Sequence, residues 1–600
     1  MSSSLPHRAV VVAEHTWNTG SIFASVTAWE EAFVALEASL PNMLAFRGRL
    51  SESAATLRAW LTLNEQLGPR LMQIISFALM AYDVETTDQA AAGRRDRAIS
   101  LYARFAAAAS FAQPEILALG AARVEEYIVE EPELAIFAHY LHTIERLRAY
   151  VRSAEVEQVL AMASDPLAAT NLSYMALVEA DLRFASATDS AGNSHAVSRG
   201  TMGDLLGRSD RTLRRNAWLA QADGYLSVRN TLAATLAGSV RANVFQSQVH
   251  GFSSALDAAL APGNIPAEVY HNVIATCNRH LPIWHRYWEI RRKALGLPQI
   301  EACDIFAPLS APTKVSYEQA VDWICLGMAP LGEEYVQVSR AGLTHERWVD
   351  RYPNEAKSGG AYSGGCYGTA PFMFMNYSDD LVSMSTLAHE LGHSMHTWHT
   401  NRAQPFTYSS YSLFVAEVAS NFNQALVRGH LLQSDIDRQM RIGLLEEAMN
   451  NFHRYLFVMP ILAQFELHMH ELVERGQALT AEVLNGMLAE LFRKGYGPAV
   501  AVDPERDGIV WAEFPHLFSA FYVYQYASGI AAANTLAERV LSGEPEAAER
   551  YVRFLSTGGS VYPIEALRVA GVDMSAPDAM DQAFGVLERY VAQLEELLTT

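Results

Sequence analysis

His389, Glu390 and His393, within Leu387-Ala388-His389-Glu390-Leu391-Gly392-His393-Ser394-Met395-His396, have the types and spacing of a metal site that does chemistry. A helix turns by about 100° per residue, so His389 and His393 project from one face a turn apart, where two imidazoles can share one small tetrahedral ion such as zinc. Glu390 cannot easily join them as a ligand. It can take a proton from a metal-activated water, the general-base role that this H-E-x-x-H pattern serves in metal-assisted hydrolysis. Two buried neutral histidines with satisfied hydrogen bonds are the lesser alternative, because they would leave Glu390 without a reason.

A catalytic zinc keeps three protein ligands and one open position. Glu417 is the only carboxylate between His393 and Asp435, and it sits in the apolar run Leu413-Phe414-Val415-Ala416-Glu417-Val418-Ala419-Ser420, where an unpaired charge is costly. The alternative for Glu417 is a buried salt bridge to a distant arginine. His399 is a rival ligand, at the place of the third histidine in H-E-x-x-H-x-x-G-x-x-H. His396 stands where that pattern has glycine, however, so the helix has no stop there and carries His399 away. His396 itself reads as a packing or supporting residue on the ligand face.

The elements that must hold these residues follow from spacing. Met384, Leu387, Leu391, Met395 and Trp398 form an apolar stripe opposite the histidines, which predicts a core helix. Asn401 to Ser410, with Pro405, predicts the turn through which a second helix brings Glu417 back. Upstream, Ser358 to Gly368 contains five glycines, and Pro371-Phe372-Met373-Phe374-Met375-Asn376-Tyr377 is strand-like. A backbone edge at Gly359, Gly360, Ala361 and Tyr362 is a candidate for holding an extended peptide; an interior hairpin bracing the metal helix is the other reading.

The rest of the chain bounds the answer. Half of its 600 residues are hydrophobic and 18% are charged, a globular composition. The formal net charge of −21 argues against nucleic acid or an anionic membrane as partner. Cys277, Cys303, Cys325 and Cys366 are too few and scattered for a disulfide framework, so reduced thiols and a cytoplasmic setting are expected. No apolar run has the length of a membrane span, and the N-terminal stretch lacks the core of a secretory signal. The first third reads as helices, one ending near Pro41 and another before Gly68-Pro69. A hairpin is expected within 181–203, at a lobe boundary, and Ser209 is a plausible cap for the helix that follows. Oligomeric state is not written in any motif.

The metal-helix and Glu417 motifs, with Lys357-Ser358-Gly359-Gly360-Ala361-Tyr362-Ser363, Phe521-Tyr522-Val523-Tyr524-Gln525-Tyr526-Ala527-Ser528-Gly529, Gly558-Gly559-Ser560, Tyr562-Pro563 and Ala570-Gly571-Val572-Asp573-Met574, resemble the oligoendopeptidase F branch of the thimet oligopeptidase family. The resemblance implies a mainly α, two-lobed zincin-type metallopeptidase, with a small β element beside the active-site helix and a deep channel for short unstructured peptides. The expected division is an N-terminal helical lobe over 1–180 and a catalytic lobe over 181–600. It implies one Zn2+ held by His389, His393 and Glu417, with Glu390 as base. In this family a histidine and tyrosines near the C-terminal end stabilise the charge that grows on the attacked carbonyl oxygen. His516 matches that histidine, Tyr524 is the first match for the principal tyrosine and Tyr522 the second, with Tyr526 read as packing. Cleavage of internal peptide bonds is the activity implied. Release of C-terminal dipeptides and non-catalytic peptide binding are the alternatives.

Overall fold

Ser25 Oγ accepts the N–H of Ala28 at 3.2 Å and starts α1 (Val26–Leu44), which buries Trp29, Phe33 and Leu36. Ser53 caps α2 (Ala54–Asp83) in the same way. These positions come from a computed structural model that describes residues 5–599. The first helix ends near its proline as expected, but the second does not stop before its own. Pro41 falls in the last turn of α1, and α2 runs through Pro69. An interior proline costs about 3 kcal/mol. Burying Leu67, Leu71 and Ile74 on the core side of α2 returns about 2 kcal/mol each, which keeps the helix intact. Gly68 answers a different need, since a Cβ there would lie 2.0 Å from Cε1 of Phe406.

The chain packs as two compact units. One comprises the chain up to Ala149, Lys314–Gln433 and Leu536–Gly571; the other comprises Tyr150–Thr313, Ser434–Thr535 and the chain from Val572. The single division near residue 180 expected from the sequence differs from this interleaved packing. Local periodicity reports that helices form, not which distant helices they pack against.

The second unit contains the expected hairpin: β1 (Ala187–Thr188) pairs antiparallel with β2 (Ser194–His195). The helix Arg211–Ser227 is capped by Asp210, whose carboxylate accepts the N–H groups of Thr212 and Leu213, rather than by Ser209. This unit also holds α3 (Arg229–His250).

The first unit carries a three-stranded sheet in the order β3-β5-β4. β3 (Val349–Asp350) lies parallel to β5 (Phe372–Phe374), and β4 (Tyr362–Gly364) antiparallel to it, with Ser363 opposite Met373. The apolar run is therefore the middle strand, with Phe372 and Phe374 packed on Trp17 and Met80, and the glycine-rich segment forms the edge. Behind the sheet, α4 (Leu381–Ala403) begins at Asp380, which accepts the Ser383 N–H at 2.7 Å. Met384, Leu387, Leu391 and Met395 are buried as predicted. Trp398 is half-buried, with the Arg402 guanidinium 4.4 Å from its ring centre. The loop through Pro405 leads into α5 (Leu413–Gln433), which is buried over most of its length. α6 (Met459–Glu474) belongs to the second unit. The structure is mainly α, and among the described residues no single helix is long and apolar enough to cross a membrane. All four cysteines are free and buried.

Candidate metal centre and active site

Packing of α4 on α5 brings three metal-binding side chains together. His389 Nε2 lies 3.5 Å from one Glu417 oxygen and His393 Nε2 lies 3.9 Å from the other. Ligand atoms from all three residues lie within 4.8 Å of one another. Zinc bonds of about 2.1 Å in a tetrahedron set ligands about 3.4 Å apart, so this donor set fits such an ion with little movement. The outer ring nitrogens are held as well. His389 Nδ1 donates to Gln424 Oε1 at 2.9 Å, and Gln424 Nε2 donates to Ser385 Oγ at 2.8 Å. This leaves Nε2 of His389 as the free electron pair. Burial holds the His393 imidazole far below its ordinary range, so it is neutral, the form that binds metal.

Glu390 stands beside this trio and is not part of it. Only 6% of the residue is exposed, and burial pushes its carboxyl up to about 7; the neighbouring Glu417 charge adds to the rise, while His389 and the Ser363 backbone N–H oppose it. A carboxylate whose affinity for a proton is matched to neutral solution can both accept and return one. β4 is tied to the same helix by Ser363 Oγ and Ser394 Oγ, 2.8 Å apart.

His396 is fully buried and stacked on Tyr411 at 3.6 Å, and burial lowers it to about 3. It is a packing residue on the ligand helix. His399 stacks on Tyr335 and takes no part in the trio.

The glycine-rich edge has support that sequence reading missed. Lys357 Nζ, buried, pairs with Asp350 at 2.7 Å and donates to the carbonyls of Tyr352 and Met375 at 2.8 and 2.6 Å, while Arg8 grips the same Asp350. Asn376 Nδ2 donates to the carbonyls of Ser358 and Gly360. Gly359 and Gly360 are exposed, and a Cβ on either meets nothing within 4 Å. Ala361 and Tyr362 are half-buried, with the Tyr362 hydroxyl on Asp83 at 2.7 Å. A cavity of about 660 Å³ opens where β4 ends, bounded by Gly365, Tyr367, Thr397, Asn401 and Tyr411, and no side chain lining it is charged. A lone lysine before paired glycines was the available signal for this support. For Gln424 the signal was its place two turns after Glu417.

In the second unit, His516 gathers two of the three tyrosines. The Tyr522 and Tyr526 rings lie 5.9 and 5.8 Å from its imidazole, and their hydroxyls are 3.1 Å apart. His516 Nδ1 has no partner among the described residues, and burial lowers the imidazole's affinity for a proton. Tyr524 points elsewhere: it is buried with its ring 5.0 Å from Tyr270.

A mainly helical fold with two histidines on one helix, a glutamate between them and a second glutamate on the neighbouring helix defines a metallopeptidase of the zincin type. The profile of peptidase family M3 matches residues 205–586, and that of oligopeptidase F matches 115–184; the chain belongs to family M3. It is 38% identical to oligopeptidase PepF of Bacillus subtilis, over all of this chain and 89% of that one. It is 35% identical to group B oligopeptidase PepB of Streptococcus agalactiae, over 99% and 98% of the two. Among crystal structures, oligoendopeptidase-F from Enterococcus faecium superposes with a TM-score of 0.75 at 30% identity, covering 95% of this chain and 98% of that one. The chain is thus a metalloendopeptidase of the oligopeptidase kind.

Proposed function

We propose that this protein is a zinc-dependent oligoendopeptidase that cleaves internal bonds of short, unstructured peptides. The observation that carries the reading is the convergence of His389, His393 and Glu417 beside a buried Glu390. A zinc ion bound by these three residues would acidify a water molecule and polarise the scissile carbonyl. Glu390 accepts the proton of the attacking water and passes it to the leaving amine, a transfer that suits a carboxyl near 7. Gln424 fixes the tautomer of His389. The edge at Gly359, Gly360, Ala361 and Tyr362, exposed at its two glycines, holds the substrate backbone, and the uncharged cavity beyond β4 suits neutral side chains.

By the family likeness, His516 donates to the developing oxyanion. The grouping around it makes Tyr522 and Tyr526 the partners we favour, ahead of Tyr524. The test is incubation of the zinc-loaded protein with unstructured peptides of graded length and one folded protein, with Glu390→Ala alongside and products read by mass spectrometry. Internal cuts in short peptides, absent in the variant, are expected. Release of C-terminal dipeptides alone would replace this reading with a trimming activity, and equal cutting of the folded protein would remove the length limit.

A further inference from the structure

Glu466, on α6, is a fully buried carboxyl to which the reaction assigns nothing. Its Oε1 accepts the backbone N–H of Phe521 at 2.7 Å, and its Oε2 has no partner among the described residues. Among the described residues no cation pairs with it, and burial drives its proton affinity well above that of an ordinary carboxyl, while the Phe521 N–H opposes the rise. The helix that carries it is firmly seated. His470 Nδ1 donates to the Glu466 carbonyl at 2.9 Å, and Asn243 on α3 lies 3.2 Å from His470 Nε2. Tyr270 donates to the Ala463 carbonyl, one helical turn before Glu466, at 2.7 Å.

The donor in this hydrogen bond to the Glu466 carboxyl is an unusual residue. Phe521 has φ +50°, left-handed backbone that costs a non-glycine residue roughly 1 kcal/mol or more. Its ring is clamped between His470, at 4.4 Å, and Tyr270, at 5.4 Å. Here the chain passes from the Pro515–Phe518 turn, which carries His516, to the helix opening at Tyr524. The dihedral of Phe521 therefore sets the direction in which Tyr522 leaves, and Tyr522 is the residue that meets both His516 and Tyr526.

We propose that Glu466 is a positioning residue: through its hydrogen bond to the Phe521 N–H it holds the left-handed turn that aims Tyr522 at His516. The inference rests on the reading that the His516 group assists the reaction. A carboxyl used only to fill space would affect stability alike whether or not His516 is present; a positioning carboxyl acts through it.

The experiment is a double-mutant cycle on the full-length, zinc-loaded enzyme with a short fluorogenic peptide, reading kcat, KM and Tm. E466L, which leaves the Phe521 N–H unpaired, is expected to lower kcat about tenfold or more with KM within about threefold, and E466Q, which keeps a neutral acceptor, restores kcat. H516A lowers kcat, and E466L causes no further loss in that background. If E466L fails to fold, E466D, which withdraws the carboxyl by one methylene, takes its place in the cycle. An impaired H516A with normal turnover in E466L, or an E466L loss that persists unchanged in the H516A background, overturns the inference alone. Wild-type turnover in H516A overturns the reading of the His516 group and the inference with it.

Discussion

Gly392 and Ser420 touch backbone to backbone: a Cβ on Gly392 would lie 2.6 Å from Ser420 Cα and 2.3 Å from the Ala419 carbonyl oxygen. The glycine between the two histidines of α4 thus sets how closely α5 approaches. That approach places Glu417 against His389 and His393. Gly392→Ala is expected to force the helices apart, at a cost of about 1–3 kcal/mol, and to cut metal affinity more than stability. Chelator competition against thermal melting checks this; unchanged metal affinity would show that the site tolerates a wider helix spacing.

Glu390→Gln keeps the shape and hydrogen bonding of the base but cannot carry a proton. The metal trio does not include Glu390, so one metal per chain should remain bound while kcat falls by about 10³. Elemental analysis alongside peptide turnover separates the two effects. Loss of the metal together with activity would make Glu390 part of the ligand set.

Gln424→Leu removes the acceptor of the His389 Nδ1 proton. Metal affinity should drop by about 10–100-fold, with Gln424→Glu retaining most of it because an acceptor oxygen remains. Competition with a chromophoric chelator measures both variants, and equal losses would show that the amide donation to Ser385 matters more.

How far the sequence could be read depends on distance along the chain. The convergence of His389, His393 and Glu417 was legible because the two histidines are one turn apart and Glu417 follows after one loop, so helical spacing and the cost of a lone buried carboxylate suffice. The support of the glycine-rich edge was not, because it joins Lys357 and Asp350 to Arg8, more than 300 residues away. The tyrosines show the same limit more finely. Tyr522, Tyr524 and Tyr526 alternate in sequence, yet Tyr522 precedes the helix and the other two lie on it, so which ring meets His516 depends on a left-handed Phe521 that no periodicity reveals. At Pro69 a strong local signal lost to core burial on either side of it.

The peptide-edge reading is best tested at Gly359. Gly360 has φ +84°, so any side chain there adds backbone strain, whereas Gly359 has ordinary backbone and open space around its Cβ position. Gly359→Leu should leave stability within about 0.5 kcal/mol and lower kcat/KM tenfold or more if a substrate backbone runs past it. Unchanged kcat/KM would return the segment to a bracing role.

Asp507 gives a pH dependence of stability with a definite sign. It is 6% exposed, and burial pushes its carboxyl up to about 7, with the Asp503 charge adding to the rise and the Asp503 N–H, bonded at 2.7 Å, opposing it. The ordinary value is 3.8, so between these two values the folded chain holds a proton that the unfolded chain releases. The contribution is therefore fully present below pH 3.8, is lost as pH rises through about 7, and stays lost above it. Asp507→Asn preserves an acceptor for the Asp503 N–H and carries no charge. Its melting temperature should match the wild type near pH 4 and exceed it at pH 8, a gain on the order of 2–4 kcal/mol in stability. Parallel melting curves that keep a constant offset across this range would show that Asp507 is already ionised in the folded protein.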